Sequence, residues 1–239
     1  ALVESIFQQL GEACKKIGVT LCGGHTEITA GLDRPLIAGC LLGEAPTSRF
    51  FSPERIEVGD AIILTKGLAV EATSIIGREH ASSLSEIFDA EFAQNCKRFL
   101  QDSGISVLPE ARLAWQEEGI HALHDPTEGG LANAIHELLI ERDLGVEIQM
   151  EHIPLFPETK LLCDHFHLDI LGLIASGALL IIGAEQACTQ LLPCLHREKI
   201  MATIIGRVLP KGRGRWLVDG EKRSELPVFR RDEILKAMK

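Results

Sequence analysis

The stretch that decides the fold is HDPTEGGLANAIHELL, residues 124–139. The apolar run from Ile120 to His124 precedes it and predicts a β-strand, while the apolar positions after Gly130 recur with the period of an α-helix. A strand joined to a helix by one proline and two glycines is the unit from which layered α/β domains are built. We therefore expect a layered domain around this junction.

The bend between this strand and helix carries groups that suit a phosphate. Gly129 and Gly130 let the backbone approach a ligand closely, and Thr127 is a candidate N-cap. The helix start offers unpaired N–H groups and the positive end of its dipole, which together favour an anion. Asp125 supplies a hard oxygen ligand for Mg²⁺. A capped helix start with a tight turn explains the same residues equally well, so both interpretations stay open here.

A second glycine pair lies near the start of the chain, in CGGHTEIT at residues 22–29. Gly23 and Gly24 follow a predicted short strand at 19–22 and predict a tight turn. The next residues, Thr26 and Glu27 among them, are candidates for a polar site. From the residues alone, a turn with solvated side chains is the more common outcome.

A third motif is LTKGLAVEAT at residues 64–73. Lys66 follows a predicted buried strand at 61–65 and precedes a predicted helix at 69–79, so its ammonium could meet a phosphate. A solvated lysine at a turn is the more common alternative.

The remaining pattern predicts three segments: 1–46, 55–210 and 211–239. The first holds an amphipathic helix ending at Gly18 and a strand at 35–43. The second adds strands at 120–124, 178–182 and 201–208 and helices at 87–103, 109–118 and 186–198. The third holds a hairpin with an Asp-Gly turn at 219–220 and an otherwise solvated basic tail. No cap precedes the first helix, so we expect residues to be missing before Ala1.

Composition excludes several classes of protein. Lys plus Arg is 24 and Asp plus Glu is 34, so the net charge is 24 − 34 = −10, which argues against a general nucleic-acid or membrane-surface binder. The seven cysteines are odd in number and contain no C-x-x-C spacing, which predicts free thiols in a reducing cytoplasm. The most apolar stretch, 170–184, is short for a membrane span.

The quoted motifs resemble the aminoimidazole ribonucleotide (AIR) synthetase superfamily. HDPTEGGLANAIHELL is similar to the signature of its C-terminal domain, in the version found in the hydrogenase maturation factor HypE and its AIR synthase-related relatives. IFQQLGEACKKIGVTLCGGHTEIT resembles the end of the family's N-terminal domain, and VGDAIILTKGLAVEATSII resembles the entry to its C-terminal domain. In order, the similar stretches cover most of residues 1–209.

This resemblance implies an α+β fold, with a partial N-terminal α/β domain followed by a layered α/β C-terminal domain of the AIR synthase type. It also implies ATP and Mg²⁺ as cofactors, a homodimer, and ATP-dependent activation of a carbonyl-type oxygen or phosphoryl transfer to a small-molecule acceptor. The residues that the resemblance assigns to nucleotide and phosphate are Asp125, Thr127, Gly129, Gly130, Gly23, Gly24, Thr26 and Lys66. Asp125 and Glu27 are its candidate metal ligands.

The chain departs from the family pattern in three ways, and the last two of them favour an alternative. The family's Gly- and Asp-rich ATP-binding phrase has no counterpart here, and its place would be upstream of Ala1. His25 stands where several relatives have Asp, and imidazole is a poor ligand for Mg²⁺. The last cysteine is Cys194, whereas HypE ends in a cysteine that carries its activated group. The alternative is a non-catalytic dimerising or regulatory paralogue, or a hydrogenase-maturation-like partner protein.

Overall fold

The computed structural model describes residues 2–46 and 50–238 of the chain. These residues form two compact units, and the division lies between residues 44 and 45. Part of the predicted loop between the first two segments, 47–49, lies outside the described residues.

The first unit consists of one helix and an irregular chain. The predicted helix is confirmed as α1 (Leu2–Ile17), and Gly18 ends it with φ +77°. The predicted strands at 19–22 and 35–43 are wrong, because no ladder joins them to another described segment. The turn lies at Ala30–Gly31 rather than at 23–27. No described residue of this unit is buried, so its short apolar runs lack the partner that would pair them into a sheet.

The second unit alternates helices and strands. Its helices are α2 (Val70–Glu79), α3 (Ala81–Ile87), α4 (Ala90–Phe99), α5 (Leu108–Gln116), α6 (Gly130–Leu139), α7 (Pro157–Phe166), α8 (Glu185–Arg197) and α9 (Ile234–Ala237). Its strands are β1 (Ala61–Thr65), β2 (Ile120–His124), β3 (Gly145–Gln149), β4 (Leu180–Gly183), β5 (Ala202–Leu209), β6 (Arg215–Asp219) and β7 (Lys222–Glu225). Among the described residues, no helix is long and apolar enough to cross a bilayer.

The seven strands form one mixed sheet in the order β2-β4-β1-β5-β3-β6-β7. Every neighbouring pair is antiparallel except β3 and β6, which are parallel. Helices together with this sheet confirm the predicted α+β class.

β1 explains how the sheet is buried on both sides. All five of its residues are buried, and consecutive side chains point to opposite faces. Ile62 and Leu64 join the larger apolar cluster, with α2 and α6, while Ala61 and Ile63 join the smaller one, with α5 and α8. A continuous apolar run in the sequence is therefore the mark of a central strand covered by helices on both faces.

Most predicted elements of this unit are confirmed within one or two residues, including the hairpin β6–β7 with Gly220 at its turn. The single helix predicted at 87–103 is wrong, because Asp89 interrupts it. Asp89 is extended and its side chain accepts a hydrogen bond from the Phe92 N–H, so a new helix begins there. The chain then leaves α4 through one π-helical turn, Leu100–Gly104.

The imidazole of His136, on α6, is neutral and makes hydrogen bonds to Arg215 on β6 and to the chain that follows β7. Its Nδ1 lies 2.8 Å from Nη1 of Arg215, which can only donate, so Nδ1 is the acceptor. The protonated Nε2 donates to the carbonyls of Leu226 and Pro227, both at 3.2 Å. Loss of water on burial is the main cause that lowers the pKa of His136 from 6.5, and Arg215 lowers it further against the opposing pull of the Leu226 carbonyl.

We expect His136 to make the fold acid-sensitive. Because its pKa is lowered in the folded state, the unfolded chain takes up the proton first, so this stability is present above about pH 6.5 and is lost as the pH falls below it. Urea unfolding of the wild type and of His136→Gln, which keeps one acceptor and one donor, measures the difference at about pH 7.5 and 5.5.

The control is His152→Gln, since the His152 side chain is half exposed. The wild type and the His152 variant should lose stability in parallel, and the His136 variant should lose less. Equal losses in all three proteins would contradict the role given to His136.

Candidate functional site

The site lies at the sheet edge where β1 and β2 both end. Leu64 on β1 and His124 on β2 each pair with Leu180 on β4, so the two strand ends stand level on either side of β4. Adjacent strands are about 4.8 Å apart, which places these two ends about 10 Å from each other. Lys66 and Asp125, two of the predicted site residues, follow these strand ends and so share this edge.

The bend after β2 differs from its prediction in how the helix is capped. Helix α6 begins at Gly130, and its N-cap is Gly129, with φ +78° and no side-chain cap. The prediction of Thr127 as the N-cap is therefore wrong. The carbonyl of Thr127 accepts a hydrogen bond from the Gly130 N–H at 3.0 Å, and its side chain is exposed. The bend is thus closed by backbone, and the Thr127 hydroxyl stays available to solvent.

The carboxylate of Asp232 accepts a hydrogen bond from a backbone N–H of this bend. The Gly129 N–H donates to Oδ2 of Asp232 at 2.8 Å. The other carboxylate oxygen, Oδ1, accepts from the N–H groups of Ile174 at 3.2 Å and Ile234 at 2.9 Å. A carboxylate at a helix N-terminus is stabilised by the helix dipole. The anion that this bend favours is therefore supplied, in this conformation, by the protein itself.

Gly130 is required by close packing inside the protein. Its φ is +63°, and a Cβ there would stand 2.6 Å from the carbonyl oxygen of Leu171 and 2.7 Å from that of Leu173. Backbone atoms this close cannot yield as a flexible side chain can. The sequence analysis assigned this glycine pair to a ligand, but Gly130 is also needed for the packing of the protein itself.

The segment 226–234 runs along α6 and was missed in the sequence analysis. The Asn133 amide donates to the Phe229 carbonyl at 2.8 Å and accepts from the Phe229 N–H at 3.0 Å. Together with the Asp232 contact at Gly129 and the His136 contacts with the chain after β7, they tie three turns of α6 to the tail. The prediction of a solvated tail is wrong for this part. The signal was weak, since the few apolar residues of this segment stand beside two arginines and two acids.

Asp125 is the exposed acid of the edge. Its side chain is 56% exposed, and its Oδ1 lies 3.8 Å from Nδ1 of His124. His124 instead engages Glu137, with Nε2 at 2.9 Å from Oε2. Within residues 2–46 and 50–238, no group of three or more His, Cys, Asp or Glu side chains is arranged to hold a metal. A bound Mg²⁺ would therefore need oxygens from a ligand besides the Asp125 carboxylate, as is usual for Mg²⁺ with phosphates.

Lys66 is fully engaged where it stands. Its Nζ donates to the carbonyls of Gly104 at 3.1 Å and Ser106 at 2.8 Å, and it lies 3.0 Å from Oε1 of Glu110. Glu110 is completely buried and did not figure in the sequence analysis. The pattern gave no sign of it, because an acid in the first turn of a helix is usually solvated.

The motif of the first unit lies in irregular chain. Gly23, Gly24, Thr26 and Glu27 are all exposed and line a cavity of about 800 Å³ together with the apolar face of α1. Neither glycine has a positive φ, and a Cβ at either would meet nothing within 4 Å. The backbone therefore places no demand for glycine at these two positions.

The cysteines do not contribute a reactive thiol to the second unit's core. All seven are free, as predicted. The pKa of Cys96, Cys163 and Cys188 is raised to about 12 each, mainly by burial and with a smaller effect from nearby acids such as Glu158 and Asp60. A thiol protonated at neutral pH is a weak nucleophile.

Comparison with known proteins identifies relatives for most of the chain. Residues 57–219 match the family described as AIR synthase related protein, C-terminal domain. A putative hydrogenase expression/formation protein of Methanocaldococcus jannaschii is 27% identical over 89% of the chain and 61% of its own length. Selenide, water dikinase of the same organism is 27% identical over 90% of the chain and 63% of its own length. The chain thus spans about three fifths of these relatives.

Solved structures share the fold. Escherichia coli HypE, a hydrogenase maturation protein, superposes with a TM-score of 0.67 at 23% identity, over 82% of the chain and 57% of that protein. A hydrogenase maturation protein HypE in complex with ATP superposes with a TM-score of 0.57 at 20% identity, over 77% of the chain and 55% of that protein.

We expect Gly130→Ala to destabilise the protein far more than Gly212→Ala. Both glycines have a positive φ, +63° and +75°, but a Cβ at Gly212 would meet nothing within 4 Å. The shared conformational penalty is about 1 kcal/mol, and the backbone clash at 130 adds to it. Urea unfolding measures both variants, and equal losses would show that the bend can relax away from Leu171 and Leu173.

We expect Asp232→Asn to lower the free energy of unfolding by about 2 kcal/mol, because its carboxylate accepts three backbone N–H groups and an amide cannot replace both oxygens. Asp164→Asn, on the exposed face of α7, is the control and should change stability little. A Tm of the Asp232 variant that matches the control would contradict this assignment.

Proposed function

The chain belongs to the AIR synthase related family, and on that premise we propose that it is an ATP-dependent enzyme that activates or phosphorylates a small-molecule or carbonyl-type acceptor. The acceptor oxygen would bond to the γ-phosphorus of ATP as the bond to ADP breaks. Such reactions are catalysed by positioning and by neutralising charge, which requires metal-binding acids and N–H donors. Two relatives support the class of reaction, since one is named a dikinase and another was solved with ATP.

One observation of geometry carries the proposal. Asp125 and Lys66 come from distant parts of the sequence but follow two strands that end level on either side of β4. The exposed Asp125 carboxylate suits a Mg²⁺ that neutralises phosphate charge, because Mg²⁺ takes one or two carboxylates and completes its shell with phosphate oxygens and water. Thr127, Gly129 and Gly130 lie next to Asp125 and are proposed to face the phosphates.

The first unit contributes the remaining proposed residues. Gly23, Gly24, Thr26 and Glu27 line a cavity of that unit, and their exposed backbone and side chains are accessible to a ligand. Within the first unit, we propose Glu27 as a carboxylate ligand for Mg²⁺. We also propose a homodimer in a reducing cytoplasm, and the seven free thiols support that compartment.

A second function is favoured by the contacts already made at the edge. The Gly129 N–H already donates to Asp232. The Lys66 ammonium already donates to two backbone carbonyls and pairs with Glu110. A protein that kept these contacts permanently would be a non-catalytic dimerising or regulatory paralogue. In the enzyme, by contrast, ATP must displace them.

Calorimetric titration of the full-length protein with ATP and Mg²⁺ separates these functions. We expect the parent to bind and Asp125→Ala to bind at least about tenfold more weakly, because it loses a carboxylate for the metal. Asp219→Ala, at the hairpin turn, is the control and should bind as the parent does.

Equal affinity in the parent and Asp125→Ala would remove Asp125 from the site. A parent that binds no ATP would favour the non-catalytic paralogue.

A further inference from the structure

Residues 100–106 cover the sheet edge between α4 and α5. They comprise the π-helical turn Leu100–Gly104, where Gly104 has φ +76°, followed by two exposed residues. No residue of this segment is buried, so apolar packing does little to hold it in place. Asp102 of the segment pairs with Arg98 of α4 at 3.0 Å, and Lys66 and Gly177 contact the segment from the sheet edge.

The first contact is the ammonium of Lys66. Its two hydrogen bonds go to the carbonyls of Gly104 and Ser106. Its ion-pair partner is the carboxylate of Glu110, in the first turn of α5. Both hydrogen bonds and the ion pair of the ammonium are therefore directed at this part of the chain. Lys66 thus latches the segment to the end of β1.

The second feature is the incomplete pairing of Glu110. Its side chain is wholly buried, and Nζ of Lys66 lies 3.0 Å from Oε1 in a direction outside hydrogen-bond geometry. Neither carboxylate oxygen accepts a hydrogen bond from the described residues. A buried carboxylate with one charged partner and no donors is costly, and water would remove that cost. Loss of the Lys66 ammonium would leave this buried charge without compensation, which favours a conformation that exposes Glu110 to water.

The third contact is a close approach at the turn before β4. Gly177 has φ +103°, and a Cβ there would stand 3.3 Å from the Gly104 carbonyl and 3.4 Å from Cα of Ile105. Because Gly177 has no side chain, the segment can approach the sheet edge closely at this point. Among the described residues, this contact involves no hydrogen bond that would hold the segment there. Removing the Lys66 latch thus leaves a contact with little resistance to opening.

We propose that residues 100–106 form a lid on the sheet edge, latched by Lys66 and Glu110, and that a polyphosphate opens it by taking the Lys66 ammonium. The phosphate competes with the Gly104 and Ser106 carbonyls for the N–H groups of the Lys66 ammonium, so phosphate binding and closure of the segment exclude each other. Opening admits water to Glu110, which couples release of the lysine to movement of the lid. The choice of a phosphate ligand rests on the proposed function, whereas the latch itself does not.

Amide hydrogen exchange without ligand tests the latch. We expect Lys66→Met, which keeps the length of the side chain, to speed exchange at residues 101–107 by about tenfold while α6 is unchanged. Glu110→Gln keeps the shape of the side chain but leaves the Lys66 ammonium without its counter-charge, which weakens the latch and should speed exchange at the same residues. It carries the test if the Lys66 variant does not fold. The control is Lys160→Met on the exposed face of α7, which should leave these residues unchanged.

Exchange with sodium tripolyphosphate tests the opening, against sodium chloride at the same ionic strength. We expect tripolyphosphate to speed exchange at 101–107 in the wild type and to add nothing in Lys66→Met. Unchanged exchange in both latch variants would overturn the latch, and no response of the wild type to tripolyphosphate would overturn its opening by phosphate.

These outcomes are distinct from those of the ATP titration. A protein that binds no ATP but loosens at 101–107 when Lys66 is changed keeps its latch and loses the proposed enzyme activity. A protein that binds ATP tightly without faster exchange at 101–107 keeps the activity and loses the lid.

Discussion

Hydrogen-bond donors at one end of the sheet must find acceptors, and the rest of this site depends on how the chain meets that demand. The start of α6 presents a backbone N–H at Gly129, and the end of β1 presents the ammonium of Lys66. Each receives a carboxylate from a distant part of the chain, Asp232 and Glu110 respectively. A buried donor left without a partner is expensive, so these two acids stabilise the edge in the absence of any ligand.

The same physics makes the edge ready for an anion. A phosphate resembles a carboxylate in charge and in accepting N–H groups, so the positions of Asp232 and Glu110 mark where a phosphate would gain most. The Asp125 carboxylate at this edge is exposed, so a cation can reach it. The arrangement therefore separates acids that neutralise the protein's own donors from an acid that faces solvent.

Most helices and strands of the second unit could be predicted because the spacing of apolar residues along the sequence reflects which side chains are buried. β1 could be recognised from four consecutive apolar residues, Ala61 to Leu64, and α6 from its regular apolar face. It could not predict Glu110 or Asp232, because their partners are 44 and 103 residues away along the chain and no local pattern links them. The wrong strands at 19–22 and 35–43 have a related cause. A strand needs a neighbour to pair with, and the apolar pattern does not say whether one is present.

The glycine pair at 129–130 shows the limit of reading chemistry from a motif. A close backbone approach was predicted, but the approaching groups are the carbonyls of Leu171 and Leu173 and the carboxylate of Asp232. A crystal structure with a non-hydrolysable ATP analogue and Mg²⁺ tests the central claim most directly. We expect Mg²⁺ at the Asp125 carboxylate and a phosphate oxygen at the Gly129 N–H, with Asp232 displaced. Phosphates bound elsewhere, with Asp232 still on Gly129, would contradict it.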